Sequence, residues 1–208
     1  MSDKGVILIG YSGHAYVVGE TLMENSISIR GYSDIQEASL NPLNLDYLGF
    51  EKEDDFIGWK EQNSFVLGIG NNNLRQNIAK LIADKKQIVK TVIHSSASIS
   101  VSVIIGNGTF INRNVAVNAL VNIGKNVILN TGCIIEHGCI LEDAVHIAPG
   151  AVLAGAVCVG ERTFIGANSV VRQRIIIGKD VVIGAGSVVI TNVYDNEIWV
   201  GNPAKRIG

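Results

Sequence analysis

Four histidines, His14, His94, His137 and His146, are the side chains here whose ordinary pKa lies near neutrality. Each is a candidate for moving a proton. His137 directly follows Glu136, and a carboxylate within reach of an imidazole fixes its tautomer and raises its basicity. His14 sits in the stretch Gly10-Tyr11-Ser12-Gly13-His14-Ala15, between the apolar run 5–9 and a helical pattern over 16–24. A strand, a glycine turn and a helix in that order present backbone N–H groups where a phosphate can sit. A second strand over 27–32 leads to Asp34, an acidic residue about 20 positions beyond the turn that can accept hydrogen bonds from a ribose or a base. The stretch departs from GxGxxG, so a plain packing turn is the competing reading. His94 stands beside serines and reads as structural. The acidic residues Glu51, Glu53, Asp54 and Asp55 read as a solvated connection, since no histidines bracket them as metal ligands.

These groups need elements to hold them, and the second half of the chain announces its own. From Ile93 onward an aliphatic residue recurs every six positions through Ile111, Ile135, Ile147 and Ile165 to Val189. Four places after each comes a small or β-branched side chain, among them Val115, Cys133, Cys139, Ala151 and Ser187. Neither a helix of 3.6-residue period nor a simple alternating strand gives a strict period of six. Stacked hexapeptides of a parallel β-helix do, because each buries its two inward residues only against its neighbours. Gly106, Gly124, Gly160, Gly166, Gly178 and Gly184, with Asn107, Lys125 and Asn126, mark the expected turns. His137 falls third in its hexapeptide, outside both inward registers, and is free to face a surface groove.

Ahead of the repeat, a third strand over 65–69 ends at Gly70. An amphipathic helix over 74–85 follows, with Asn72 or Asn73 expected as its cap. A last strand from Ile88 feeds the solenoid. Residues 1–92 therefore read as a small α/β unit with glycine turns, at Gly10 and Gly70, where open parallel sheets bind ligands. Residues 93–208 read as the β-helix and its tail.

A net charge of −2 gives no general attraction to nucleic acid or anionic membrane. No apolar run reaches membrane-span length, and the first residues show no signal-peptide pattern, so the expected location is the cytoplasm. Of the three cysteines, Cys133 and Cys139 fall in the inward register, and no disulfide framework is expected.

The Gly-x-Ser-Gly-His-Ala unit, the segment Ile69-Gly70-Asn71-Asn72-Asn73-Leu74-Arg75, the Glu136-His137 pair and the ending Gly201 to Lys205 together resemble the bacterial nucleotide-sugar N-acetyltransferases. Sugar O-acetyltransferases grouped with sialic-acid biosynthesis share that layout. The resemblance implies a Rossmann-like βαβαβ unit followed by a left-handed parallel β-helix with three hexapeptides per coil. It also implies a homotrimer with active sites between subunits, and acetyl-CoA as co-substrate without a metal. The acceptor it implies is the 4-amino group of a nucleotide-linked 4-amino-4,6-dideoxy sugar, made for a surface polysaccharide or glycoprotein. Residue by residue, it assigns the base to His137. It gives acetyl-CoA contacts to His146, Gly155, Ala167 and Ala185, and the nucleotide-sugar to Ser12, Gly13, His14, Asp34 and Gly70. Gly138 departs from the acidic residue common after the family's histidine, which leaves Glu136 or an acid of a neighbouring subunit as partner of the ring. A non-catalytic binding scaffold is a competing reading, and so is a zinc enzyme, which needs three histidine ligands.

Overall fold

The computed structural model describes residues 5–60 and 62–208. The first unit contains β1 (Val6–Ile9), α1 (Gly13–Glu24), β2 (Ile29–Ser33), a 3-10 turn (Ile57–Trp59), β3 (Ser64–Leu67), α2 (Asn72–Asp84) and β4 (Ile88–Val89). The four strands form one parallel sheet in the order β2-β1-β3-β4. β1 reads Val-Ile-Leu-Ile because both its faces are covered. On one side Leu8 and Val6 meet Ala15, Val18 and Leu22 of α1, together with Val92, Phe110 and Ile128 of the solenoid. On the other, Ile7, Ile9, Phe65 and Leu67 meet Ile78, Ala79 and Ile82 of α2.

Two expectations need correction here. The cap of α2 is Asn71, whose side chain accepts from Leu74 N at 2.9 Å. Asn72 is committed elsewhere, donating to Arg162 O at 2.7 Å and accepting from Arg75 at 2.9 Å. Glu51 is not solvated. It is 5% exposed and accepts from the Ser33 hydroxyl at 2.7 Å, while its carbonyl accepts from the Trp59 indole.

From Val92–Ile93, two-residue strands recur at the sixfold spacing to Val188–Val189. They stack in three parallel sheets, with each residue paired to the one eighteen earlier: Ile128 with His146 on the first face, Ile134 with Val152 on the second, Ile140 with Cys158 on the third. Both inward registers are buried over nearly their whole length, from Ile111 to Val193, as one continuous core. The inward hydroxyls are satisfied: Thr109, Thr163 and Ser169 donate to Gly124 O, Gly178 O and Gly184 O. Ile198–Val200 and Lys205–Arg206 close the far end of the first face, the last pair antiparallel.

The turn register differs from the one read off the glycines. Left-handed backbone recurs every six residues at Asn114, Leu120, Asn126, Gly132, Gly138 and Ala144, then on to Gly186, and glycine holds only some of these positions. Gly106, Gly160 and Gly166 lie two places earlier with ordinary backbone. A methyl group on Gly160 would come within 2.6 Å of Gly178 C in the next coil, so close stacking selects glycine there.

Candidate active site

The sheet reverses its direction of winding between β1 and β3, and ligand sites of open parallel sheets form at such points. α1 starts at the carboxyl end of β1. Its N-cap, Ser12, has extended backbone and makes no side-chain cap bond. The adjoining cleft, about 380 Å³, is lined by Tyr11, Ser12, Gly13 and Asp34 along with the 36–40 segment. Asp34 accepts from Tyr11 N at 2.8 Å through one carboxylate oxygen and from Ile35 N at 2.7 Å through the other, which pins the tip of β2 to the glycine turn. No atom lies within 4 Å of where a Cβ would stand on Gly13 or Gly70, so neither glycine is demanded by packing and both leave surface open to a ligand.

Where this unit rests on the first solenoid face, three cationic or titratable groups are gathered, Arg75 and His146 buried and His14 half-buried. His14 and His146 stand 6.2 Å apart between ring centroids, edge-on to Phe110 and Phe164 respectively. Among the described residues Nε2 of His14 has no hydrogen-bond partner, and Nδ1 of His146 makes no hydrogen bond of good geometry, with the Gly70 backbone the polar group beside the His146 ring. Burial, with Arg75 adding to it, pushes His14 down to about 4. Burial, Arg75 and His14 push His146 down to about 3. Both imidazoles are therefore neutral at physiological pH. The Arg75 side chain is 1% exposed and finds no carboxylate among the described residues, and burial draws it down to about 9. His94 is structural, as expected: its Nε2 lies 2.6 Å from Glu24, which also pairs with Arg113, so the end of α1 is tied to the first coil.

His137 is the exposed histidine, at the edge between the second and third faces. Its ring lies across the next coil, where a methyl on Gly155 would stand 2.6 Å from Nε2. The space freed at Gly155 is thus filled by the imidazole itself. Glu136 is half-buried, and no hydrogen bond joins it to His137 among the described residues. Gly138 has φ +70°, and only Ala156 Cα, at 4.0 Å, comes near the room where its side chain would be. Ala167 and Ala185 stack on a different edge, between the first and second faces. Gly186 N donates to Ala167 O, and a methyl on Gly166 would meet Ala185 N at 2.5 Å. Their own amides find no protein acceptor among the described residues. One chain therefore joins His137 to Gly155, His14 to His146 and Gly70, and Ala167 to Ala185, on three separate surfaces. Among the described residues no group of three or more histidine, cysteine or acidic side chains is gathered closely enough to hold a metal.

The profile of the PglD N-terminal domain matches residues 5–82, and that of the bacterial transferase hexapeptide (six repeats) matches residues 159–191. PerB from Caulobacter crescentus, solved in complex with CoA and GDP-perosamine, is 34% identical over 98% of this chain and 97% of its own, with a TM-score of 0.91. The acetyltransferase domain of PglB from Neisseria gonorrhoeae, solved with acetyl coenzyme A, is 30% identical over 97% and 98%, with a TM-score of 0.90. The chain belongs to the hexapeptide nucleotide-sugar N-acetyltransferases. WeeI from Acinetobacter baumannii, at 23% identity and a TM-score of 0.87, shares the fold.

Within this acetyltransferase, the sequence marked Arg75 only as part of the segment that carries the resemblance, with no role of its own, and passed over Phe110, Phe164 and Asn130, whose amide lies 3.3 Å from His146 Nε2. Phe110 and Phe164 carried a signal. Both precede an inward aliphatic on the first face, and an aromatic at an outward position implies that something covers it. No helix among the described residues of this acetyltransferase is long and apolar enough to cross a membrane.

Proposed function

We propose that this chain transfers acetyl from acetyl-CoA to the 4-amino group of a nucleotide-linked 4-amino-4,6-dideoxy sugar, with His137 as the general base. The observation that carries the base is the exposed imidazole lying across Gly155, outside the core. The amine nitrogen attacks the thioester carbonyl while Nε2 of His137 takes its proton. The C–S bond then breaks, and CoA leaves as a thiolate that recovers a proton from the imidazolium. Glu136, or an acid of a neighbouring copy, orients the ring.

The cleft at Ser12, Gly13 and Asp34 holds the nucleotide, with the diphosphate on the amides at the start of α1 and the sugar reaching towards His14 and Gly70. His146 and the unpartnered amides of Ala167 and Ala185 serve acetyl-CoA. Because these groups lie on different edges from His137, the complete site forms between copies in a homotrimer. The enzyme works in the cytoplasm and supplies a surface polysaccharide or glycoprotein. The relative solved with CoA and GDP-perosamine supports the pairing of substrates.

The test is thiol release from acetyl-CoA with a panel of GDP-, UDP- and dTDP-linked 4-amino sugars beside hydroxyl-bearing analogues. Turnover confined to amino acceptors and abolished in His137→Asn is expected. Transfer only to hydroxyl acceptors, or undiminished activity in the variant, would overturn it.

A further inference from the structure

Among the described residues, Arg75 is the largest fully buried side chain and carries a charge that no acid neutralises. Its guanidinium is instead spent on oxygens from three parts of the chain. Nη1 donates to Ile69 O at 3.1 Å and Gly70 O at 3.0 Å, in the turn after β3. Nη2 donates to Asn72 Oδ1 at 2.9 Å and to Ala144 O at 2.8 Å, with Val145 O at 3.4 Å. Nε donates to Asn126 O at 2.8 Å. Burying an ion costs free energy unless hydrogen bonds compensate it, and a hydrocarbon side chain would fill that volume without the cost. The planar fork of donors does what a hydrocarbon cannot: it fixes the distance between two backbones.

Those backbones are the Gly70 turn of the N-terminal unit and the coil that runs from Ala144 into His146. We propose that Arg75 is a positioning residue, which registers the acceptor half of the site at the Gly70 turn against the acetyl-CoA half at His146. The inference rests on the function proposed above, which puts the sugar near Gly70 and acetyl-CoA at His146. Asn72 forms a second strut of the same joint: its Nδ2 reaches Arg162 O, one coil beyond, while its Oδ1 holds the guanidinium.

A register between half-sites leaves a distinctive kinetic trace. Each half still binds its own ligand when the strut is weakened, but the reacting atoms no longer meet, and a misplacement of about 1 Å can cost roughly 100-fold in rate. In Arg75→Lys the charge remains while the fork is lost. The expected result is kcat lowered about 10- to 100-fold, with the separately measured affinities for CoA and for the free nucleoside diphosphate retained and the melting curve still cooperative. An unchanged kcat, a loss confined to one ligand's affinity, or a loss explained entirely by the unfolded fraction would overturn the positioning role.

Should Arg75→Lys fail to fold, Asn72→Ala removes one acceptor and the second strut. It should show a smaller fall in kcat with both affinities kept, and wild-type kcat there overturns the role. A wild-type protein inactive with every acceptor overturns the proposed function and this inference together, whereas an active wild type with an equally active variant overturns only the inference.

Discussion

The His137 imidazole lies over the backbone of Gly155, eighteen residues on and one coil away, in the volume a side chain at 155 would need. The ring is thus positioned by an absence in its neighbour, and that arrangement can be probed without touching the histidine.

In Gly155→Ala the new methyl and the ring cannot share the space, and the backbone there has no left-handed requirement. The imidazole must swing away. We expect kcat to fall about 10- to 100-fold through misalignment with little change in melting temperature, as read by thiol release and calorimetry on the same preparation.

Gly138 leaves room beside the catalytic candidate, at a left-handed position that Asp180 occupies in its own hexapeptide. Gly138→Asp should therefore fold. A carboxylate near the ring favours the imidazolium, and a base must be neutral to act. The acidic limb of the kcat/KM profile should accordingly move to higher pH, by about one unit if the two groups touch.

The pair His14 and His146 makes the protein sensitive to acid. Both are held below the ordinary histidine value of 6.5, to about 4 and about 3. As pH falls below 6.5 the unfolded chain takes up protons that the folded chain refuses, so stability is full above that value and declines beneath it. Each imidazole contributes about 1.4 kcal/mol per pH unit, until the pH reaches its folded value. Denaturant melts between pH 7 and 4 should show this slope, and His146→Gln should flatten it.

Ser33 is the sole side-chain donor to the Glu51 carboxylate among the described residues. Ser33→Ala leaves a buried acceptor without its partner and should cost about 1–3 kcal/mol in urea unfolding. The site itself is untouched, so activity per folded molecule should hold.

Burial pushes the thiols of Cys133 and Cys139 up to about 12 and about 11, whereas Cys158 faces outward on the third face. A thiol reagent should label one cysteine in the native chain and three after unfolding. Replacing Cys158 by serine would therefore remove the background from a thiol-release assay.

The solenoid was legible because its period is imposed by packing. Ile135, Leu153 and Val171 had to be apolar for the coils to stack, and few other folds impose a period of six. The glycine turns at Gly10 and Gly70 were legible for a similar reason, since strand ends before helices leave few residues free to vary. Glu51 was misread because an acidic run looks solvated until one knows that Ser33 faces it across eighteen residues. Arg75 was visible as part of the Ile69 to Arg75 segment, but its role was not, because all but one of its partners are peptide carbonyls, which leave no trace in side-chain identity. His146 and His14 are more than 130 residues apart in a 208-residue chain, and only the seating of the first unit on the solenoid brings them together.

Five of the six oxygens that hold the guanidinium of Arg75 belong to the peptide chain, at Ile69, Gly70, Asn126, Ala144 and Val145. Every amino acid supplies such an oxygen. Inheritance can therefore rewrite the side chains at 126, 144 and 145, within what their bends tolerate, and the grip survives. Rewriting position 75 releases all of it at once, so the burden of keeping the two units aligned through divergence falls on a single codon.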